Sequence, residues 1–478
     1  MNLHPPRVRG KPGQPTPPAF VLGPQASRHR GFILVAVLIV IMLLSMVVVS
    51  LLFRLKAEDA ASAAGAGSEQ AWAAAMSGVQ EAMRVMGQNQ PGSLDWQDNP
   101  RAFRDRLVFD DGSDRWYFTV YSAAGPDDRE EVRYGLADEA GKLNLNTATE
   151  TNLLRLPFLT PALAQTLLDF LDADDTPRSE GAEQEYYDAL PRPYTLRNGP
   201  LSTLDELLLV RGFTPRLLGG EDVNLNFRLD PNEDDSDQSY PPDNNDGKLD
   251  LGLRPYLTVS SYDLNEDNDG VPRTNLNDPL DPLPKVDLPD SLVTCLGLLR
   301  TNKITIAHPA DLLEAKGRFK DPSGKEVEWE SGVGPAELPI LLDLFTTTTE
   351  YEMTGLININ TASVRVLQTL PEIDEALAES MVSARRALGA ERRQTIAWLF
   401  QEGLVDAELF KQIAPRLTAR SYQYSFHVVG YGVPSGRYRV LEVIIDLGQG
   451  KPVITYLRDL TRLGLPFKIE VTQEVTRG

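Results

Sequence analysis

Oxygen-bearing side chains recur at alternate positions in two places of this 478-residue chain: Asp230-x-Asn232-x-Asp234 and Asn265-x-Asp267-x-Asp269-Gly270. Such alternation wraps hard oxygen ligands around a calcium ion, with a glycine making the sharp turn. The second stretch lacks a far-end glutamate, because Leu276 stands there. A third group, Asp172, Asp174 and Asp175, offers donors of the same kind. The competing reading is a solvated acidic surface. Between residues 221 and 290 about 18 acids face 5 bases, amid Pro, Asn and Gly, which is the composition of an unpacked loop. Catalytic patterns are weaker still. His4, His29, His308 and His427 stand apart from one another, so no histidine-centred metal or nucleophile cluster forms. Cys295 is the single thiol and can make neither an internal disulfide nor a zinc site; in its apolar run it reads as a small buried hydrophobe. Gly430-Tyr431-Gly432 with Gly436 lies between two strand patterns and reads as a hairpin turn, not a nucleotide loop. The expectation is no enzyme, no catalytic residue and no required cofactor, with calcium the one candidate ion.

The elements that must position these groups begin at the N-terminus. Residues 1–31 are rich in proline and arginine, contain no acid, and end in Arg28-His29-Arg30-Gly31. Phe32 to Phe53 follow without a charge, long enough to cross a bilayer as a helix. Basic residues before the span place the N-terminus in the cytoplasm and the bulk of the chain outside. A secretory signal has a shorter apolar core. Helical patterning continues beyond the span, with Trp72, Met76, Val79, Met83 and Met86 at spacings of three and four. One helix from about residue 32 to 86 would measure roughly 80 Å.

Farther on, Trp116 to Tyr121 is a strand pattern, with Glu131 to Gly135 as its hairpin partner. Tyr422 to Gly430, Arg437 to Leu447 and Pro452 to Asp459 are strand-like too. Between them lies a mostly helical stretch holding an internal repeat. Gly141-Lys142-Leu143-Asn144-Leu145-Asn146-Thr147-Ala148 through Leu156-Pro157 matches Ile357-Asn358-Ile359-Asn360-Thr361-Ala362 through Leu370-Pro371. Each copy reads as an extended piece, a capped helix, a proline turn and a second helix. The net charge of -21 repels nucleic acid.

Arg-His-Arg-Gly before Phe-Ile-Leu-Val resembles the leader of type IV pilins and secretion pseudopilins. The resemblance implies cleavage by prepilin peptidase between Gly31 and Phe32, with methylation of Phe32. Members of that class carry a glutamate at mature position five, where this chain has Ala36. The member known for lacking it is the K-type minor pseudopilin of type II secretion. That family also has stretches resembling Gly141 to Ala148, Leu171-Asp172-Ala173-Asp174-Asp175, Glu185-Tyr186-Tyr187, Asn198-Gly199-Pro200 and Glu206 to Gly212, in this order.

The resemblance implies an α+β fold: a long N-terminal pilin helix and a pilin-like head with an antiparallel sheet, interrupted by a large helical insert of two related helix-hairpin-helix (SAM-like) subdomains. The expected domains are a leader (1–31), a span (32–53), the helix remainder with the first part of the head (54–135), the insert (136–420) and the closing strands (421–478). Within the insert, the repeats fall at about 141–220 and 355–418, around an acidic loop at 221–290. It further implies a place at the pseudopilus tip and a role in its initiation and in export across the outer membrane. The implied partners are I- and J-type minor pseudopilins, prepilin peptidase and the inner membrane, with the bulk of the chain periplasmic. Trp72 and Met76 would contribute to the helix contacts. Calcium binding in this secretion family favours calcium at Asp172, Asp174 and Asp175, or at Asn265, Asp267 and Asp269.

A rival reading is a membrane-anchored helix-hairpin-helix DNA receptor of competence type. Its turn reads Leu-Pro-Gly-Ile-Gly, with glycines letting backbone N–H groups meet phosphate. Here the turns are Leu156-Pro157-Phe158-Leu159-Thr160 and Leu370-Pro371-Glu372-Ile373-Asp374. Neither has a glycine, and the second places two carboxylates where phosphate would sit, so no nucleic-acid partner is expected. A generic single-span anchored domain is the third reading.

Overall fold

Helix α1 (Arg30–Gly87) opens the part of the chain described by the computed structural model, which covers residues 30–125, 131–236, 238–286, 288–320 and 324–468. The leader as far as residue 29 and the last ten residues of the expected C-terminal segment lie outside the described residues. No proline interrupts α1, and alanines dominate its second half, which favours the helix over its whole run. It stops at Gly87, ahead of Pro91 and a left-handed Gly92.

The chain divides into two units at Ala66 and Gly67. In the first unit α1 carries the apolar run, whose large side chains from Ile33 to Leu55 are exposed. The helix is long and apolar enough to cross a membrane.

In the second unit α1 seats on a seven-stranded sheet. Strands β1 (Arg106–Asp110), β2 (Arg115–Ala123), β3 (Val132–Arg133) and β4 (Ala137–Asp138) precede the insert; β5 (Gln423–Val433), β6 (Tyr438–Asp446) and β7 (Val453–Asp459) follow it. The order is β1-β2-β5-β6-β7, with β3 on β2 and β4 on β5, all antiparallel. Val120 lies opposite Val428, so strands about 300 residues apart in sequence share the centre of the sheet. Ala71, Ala74, Ala75, Val79, Ala82 and Met86 are the buried face of α1, and Phe118, Val120, Phe426, Val428, Leu441 and Val443 are among the sheet residues buried near it. The approach is close at Gly430, where an added Cβ would lie 2.3 Å from the Ala71 carbonyl oxygen and 2.3 Å from the Ala75 nitrogen.

The insert has one continuous apolar core, from Leu143 to Leu417. It holds three copies of one unit, where the sequence pattern displayed two. Each copy opens with a two-residue strand paired in parallel with a strand at its own end: Leu143–Asn144 with Leu257–Thr258, Thr274–Asn275 with Phe345–Thr346, and Ile357–Asn358 with Leu417–Thr418. The asparagines explain the recurrence. In each copy the first one accepts the N–H of the second: Asn144 from Asn146 at 3.0 Å, Asn275 from Asn277 at 2.9 Å, Asn358 from Asn360 at 3.0 Å. The second one donates its amide to the carbonyl of a later segment: Leu201 at 3.0 Å, Ile306 at 2.9 Å, Arg393 at 2.8 Å. A buried amide that braces two chain segments stabilises only when its partners are in place. These asparagines are therefore structural.

Head and insert are joined by buried polar groups. The Asp138 carboxylate accepts from Ala140 N at 2.8 Å, Asn358 Nδ2 at 2.8 Å, Thr361 Oγ1 at 2.5 Å and Ser421 Oγ. At the end of the insert Arg420 reaches Asp263 at 2.9 Å and donates as well to the carbonyls of Leu264, Glu266 and Asp267, which braces the insert itself. The acidic middle of the chain is packed, contrary to an unpacked loop: Glu221, Asp222, Asn226, Glu233 and Asp243 are buried. Leu225 and Phe227 tether it to the second face of the sheet, Phe227 stacking on His427 at 4.5 Å.

Candidate functional site

The loop after helix Pro161–Leu171 gathers acids because two of its neighbours force it inward. Asp169, on the last turn, is fully buried and accepts Arg178 Nη1 at 2.5 Å. The same guanidinium holds Asp172 at 2.7 Å. Gly181 passes so close that a Cβ there would lie 1.8 Å from the Asp169 carboxylate, so only glycine allows this crossing. Just beyond, Glu183 precedes helix Gln184–Asp188 without capping it.

Oxygens of Asp172, Asp174 and Glu183 all lie within 4.8 Å of one another. Both Glu183 oxygens and Asp172 Oδ1 are buried without a hydrogen-bond partner. Burial, followed by the charges of Asp169, Asp172, Asp175 and Asp174, pushes Glu183 up to about 7. Orphaned, crowded carboxylate oxygens are what a hard divalent cation would satisfy, and the donor set fits calcium in preference to a thiophilic metal. Asp175 stands apart from the group, accepting Asn198 Nδ2 at 3.1 Å. Glu183 was missed in the sequence because it lies eight residues past the last aspartate; Gly181-Ala182-Glu183 before the Tyr-Tyr pair was the available signal.

The other oxygen-rich stretches behave differently. Asp267 Oδ1 accepts the N–H groups of Asp269 and Val271, closing its own turn. Asn265 donates to the carbonyls of Thr348 and Glu350, while Asp269 is exposed. Asp230 accepts the amides of Asn224 and Asn226, Asn232 donates to the Tyr240 carbonyl, and Asp234 is exposed.

Gly31 and Phe32 fall in the first turn of α1, and Ala36 is exposed one turn later. Trp72 and Met76 are half-buried and pack against the core of their own head, Arg439 lying 5.9 Å from the Trp72 ring. The exposed stripe of α1 alongside them is Glu69, Ala73, Gln80 and Arg84.

The solitary histidines have structural surroundings. His308 Nδ1 accepts the Ala310 N–H, and burial holds its pKa down at about 4. Burial also lifts Cys295 to about 11, which keeps its thiol protonated. The two hairpin turns carry Phe158 and Glu372 in the left-handed conformation, at φ 64° and 56°, where a DNA-binding turn has glycine.

An antiparallel sheet packed on the second half of α1 and a helical insert within the sheet's connectivity define an α+β protein, and its N-terminal helix is long and apolar enough to cross a membrane. Residues 141–219 match the family model described as type II secretion system (T2SS), protein K. Among solved structures the chain is similar to one in the GspK-GspI-GspJ complex from the enterotoxigenic Escherichia coli type 2 secretion system. Identity is 15%, coverage 85% of this chain and 99% of that one, with a TM-score of 0.40. No curated protein sequence matches the chain.

Proposed function

We propose that this chain is the tip subunit of a type II secretion pseudopilus, serving its initiation and the export of proteins across the outer membrane. The observation that carries the reading is the joining of a protein K domain to a head that rides on a helix able to cross a membrane. In this role the anchor leaves the inner membrane for the pseudopilus after prepilin peptidase cuts between Gly31 and Phe32. Ala36 cannot neutralise a neighbour's terminal amine in lipid, an expensive charge to leave unpaired, so no subunit adds above this one. The bulk of the insert enforces the same end. The body of the chain stands in the periplasm, and I- and J-type minor pseudopilins pack along α1, through the stripe of Glu69, Ala73, Gln80 and Arg84 with Trp72 and Met76 at its border.

Mass spectrometry of protein from cells with active peptidase tests the reading: the mature chain should begin at a methylated Phe32. An intact leader would refute it. Ala73→Arg, on the exposed face, should lower co-purification with the I- and J-type subunits while leaving the melting temperature unchanged; undiminished co-purification would count against the interface.

Calcium at Asp172, Asp174 and Glu183 belongs to the same reading, as a clamp on the helical insert. Calorimetric titration of the full chain should lose one binding event in Glu183→Gln, and an unchanged isotherm would remove this site.

A further inference from the structure

The acidic segment after the protein K domain contains a second constellation, distinct from the Asp172 group. From Asp222 to Glu233 the chain reads Asp-Val-Asn-Leu-Asn-Phe-Arg-Leu-Asp-Pro-Asn-Glu. Side-chain oxygens stand at loop positions 1, 3, 5, 9 and 12, and position 7 would contribute a backbone carbonyl; this is the ligand spacing of a twelve-residue calcium loop. Position 6 of such a loop carries glycine for a sharp turn. Here it is Phe227, and the backbone nonetheless takes the left-handed conformation at φ 63°. The alternation at Asp230, Asn232 and Asp234 is the tail of this loop read out of frame.

The side chains turn toward one another. Asp222 Oδ1 accepts Asn226 N at 3.0 Å, and Oδ2 accepts Phe227 N at 3.0 Å. Asn224 and Asn226 both direct their amides onto Asp230 Oδ2, at 2.7 and 2.8 Å. Glu233 closes the loop, its Oε2 accepting Asp230 N at 3.0 Å. Its other oxygen, Oε1, has no partner, although the residue is only 1% exposed. A buried carboxylate oxygen left unbonded is costly, and one at position 12, where a calcium loop places its bidentate glutamate, is accounted for by an ion. Burial, then the charges of Asp222 and Asp230, lifts Glu233 to about 7, and burial raises Asp222 as well. Among the described residues no lysine or arginine pairs with these three carboxylates. The two asparagine Oδ1 atoms each accept a loop N–H, Asn224 from Asn226 at 3.1 Å and Asn226 from Arg228 at 2.7 Å, and a carbonyl oxygen has a second lone pair to offer a cation.

We propose that Asp222–Glu233 is a calcium-binding loop, liganded by Asp222, Asn224, Asn226, the Arg228 carbonyl, Asp230 and Glu233. Calcium is the favoured ion because the donors are all oxygen and numerous, whereas magnesium keeps most of its waters and zinc prefers nitrogen and sulfur. The ion would fasten the insert to the head, because Leu225 and Phe227, between its ligands, are the side chains lodged against the sheet.

The test is calcium titration of the full chain in detergent, by calorimetry, on wild type, Glu233→Gln and Glu183→Gln. Wild type should bind one ion more than Glu233→Gln, or bind it at least tenfold more tightly, and the event lost in Glu233→Gln should persist in Glu183→Gln. In the absence of calcium Glu233→Gln should melt no lower than wild type, since it removes an unpaired buried charge; the calcium-induced rise in melting temperature should shrink. Should Glu233→Gln fail to fold, Asn224→Ala, at a half-buried position, gives the same comparison. Identical stoichiometry and affinity in wild type and a folded loop variant would overturn the proposal, as would complete loss of calcium binding in Glu183→Gln alone. A missing leader cleavage would instead refute the pseudopilin reading and leave this site standing.

Discussion

Replacing Gly430 with alanine probes how closely α1 and the sheet are fitted. The new methyl would sit 2.3 Å from the Ala71 oxygen and the Ala75 nitrogen, both backbone atoms of a helix that cannot rotate away. Restoring ordinary contact requires the helix to retreat by about 1 Å, a gap that forfeits a quarter to a half of each dispersion contact along the seam. Overpacking of this kind costs about 1–3 kcal/mol. Gly78→Ala is the matched control. Its methyl meets Val428 Cγ2 at 2.6 Å and Phe118 Cδ2 at 2.9 Å, buried side chains that must repack, while no backbone atom stands in the way. It also gains up to about 1 kcal/mol of helix propensity. At about 2–4 °C per kcal/mol, Gly430→Ala should melt roughly 2–12 °C lower by calorimetry, with Gly78→Ala less affected. The reasoning fails if Gly430→Ala melts with wild type, or if Gly78→Ala is the more damaged of the two.

Arg420→Met leaves Asp263 buried and uncompensated, and urea unfolding should show a loss of about 3–5 kcal/mol, partly recovered by adding Asp263→Asn. Asp138→Ala strands the donors of Asn358, Thr361 and Ala140 and should cost at least about 2 kcal/mol in the same assay, with Asp138→Asn milder. Glu183 and Glu233 bind their protons more tightly folded than unfolded, so without calcium their contribution is full below about pH 4.5 and is lost as pH rises through about 7. The melting temperature of chelated protein should therefore fall between pH 5 and pH 8, less so in the Glu183→Gln, Glu233→Gln double variant, and a flat profile in wild type would contradict the assignment.

The span, the long helix and the closing strands were legible because period and composition alone mark them. Expected strands at 116–121, 422–430, 437–447 and 452–459 lie within three residues of β2, β5, β6 and β7 at every end. Strand β1 was invisible: Arg106-Leu107-Val108-Phe109-Asp110 is a bulged edge strand whose side chains are half or fully exposed, so no alternation marks it. The middle copy of the repeat was hidden because Thr274-Asn275-Leu276-Asn277 keeps the two bracing asparagines while losing the Thr-Ala that follows in the other two. A clearer trace lay at the copies' ends, where Leu257-Thr258-Val259-Ser260-Ser261-Tyr262 parallels Leu417-Thr418-Ala419-Arg420-Ser421-Tyr422 and the two tyrosine rings stack 6.0 Å apart. Charge density in the acidic middle was plain, but not its burial. Leu225 and Phe227 are two of a few apolar side chains among many acids, and the sheet they rest on is built from remote segments.

The pairing of β2 with β5 sets an order of events during synthesis. When residue 123 has emerged, β2 can pair with β1 alone, and its other edge waits for residues near 428. By then the insert, whose strands pair among themselves, has all of its chain available to fold. The head is therefore the last region to close, and a chain arrested anywhere inside the insert would display a tethered helix with an unsealed strand, open to pairing with another chain or to proteolysis.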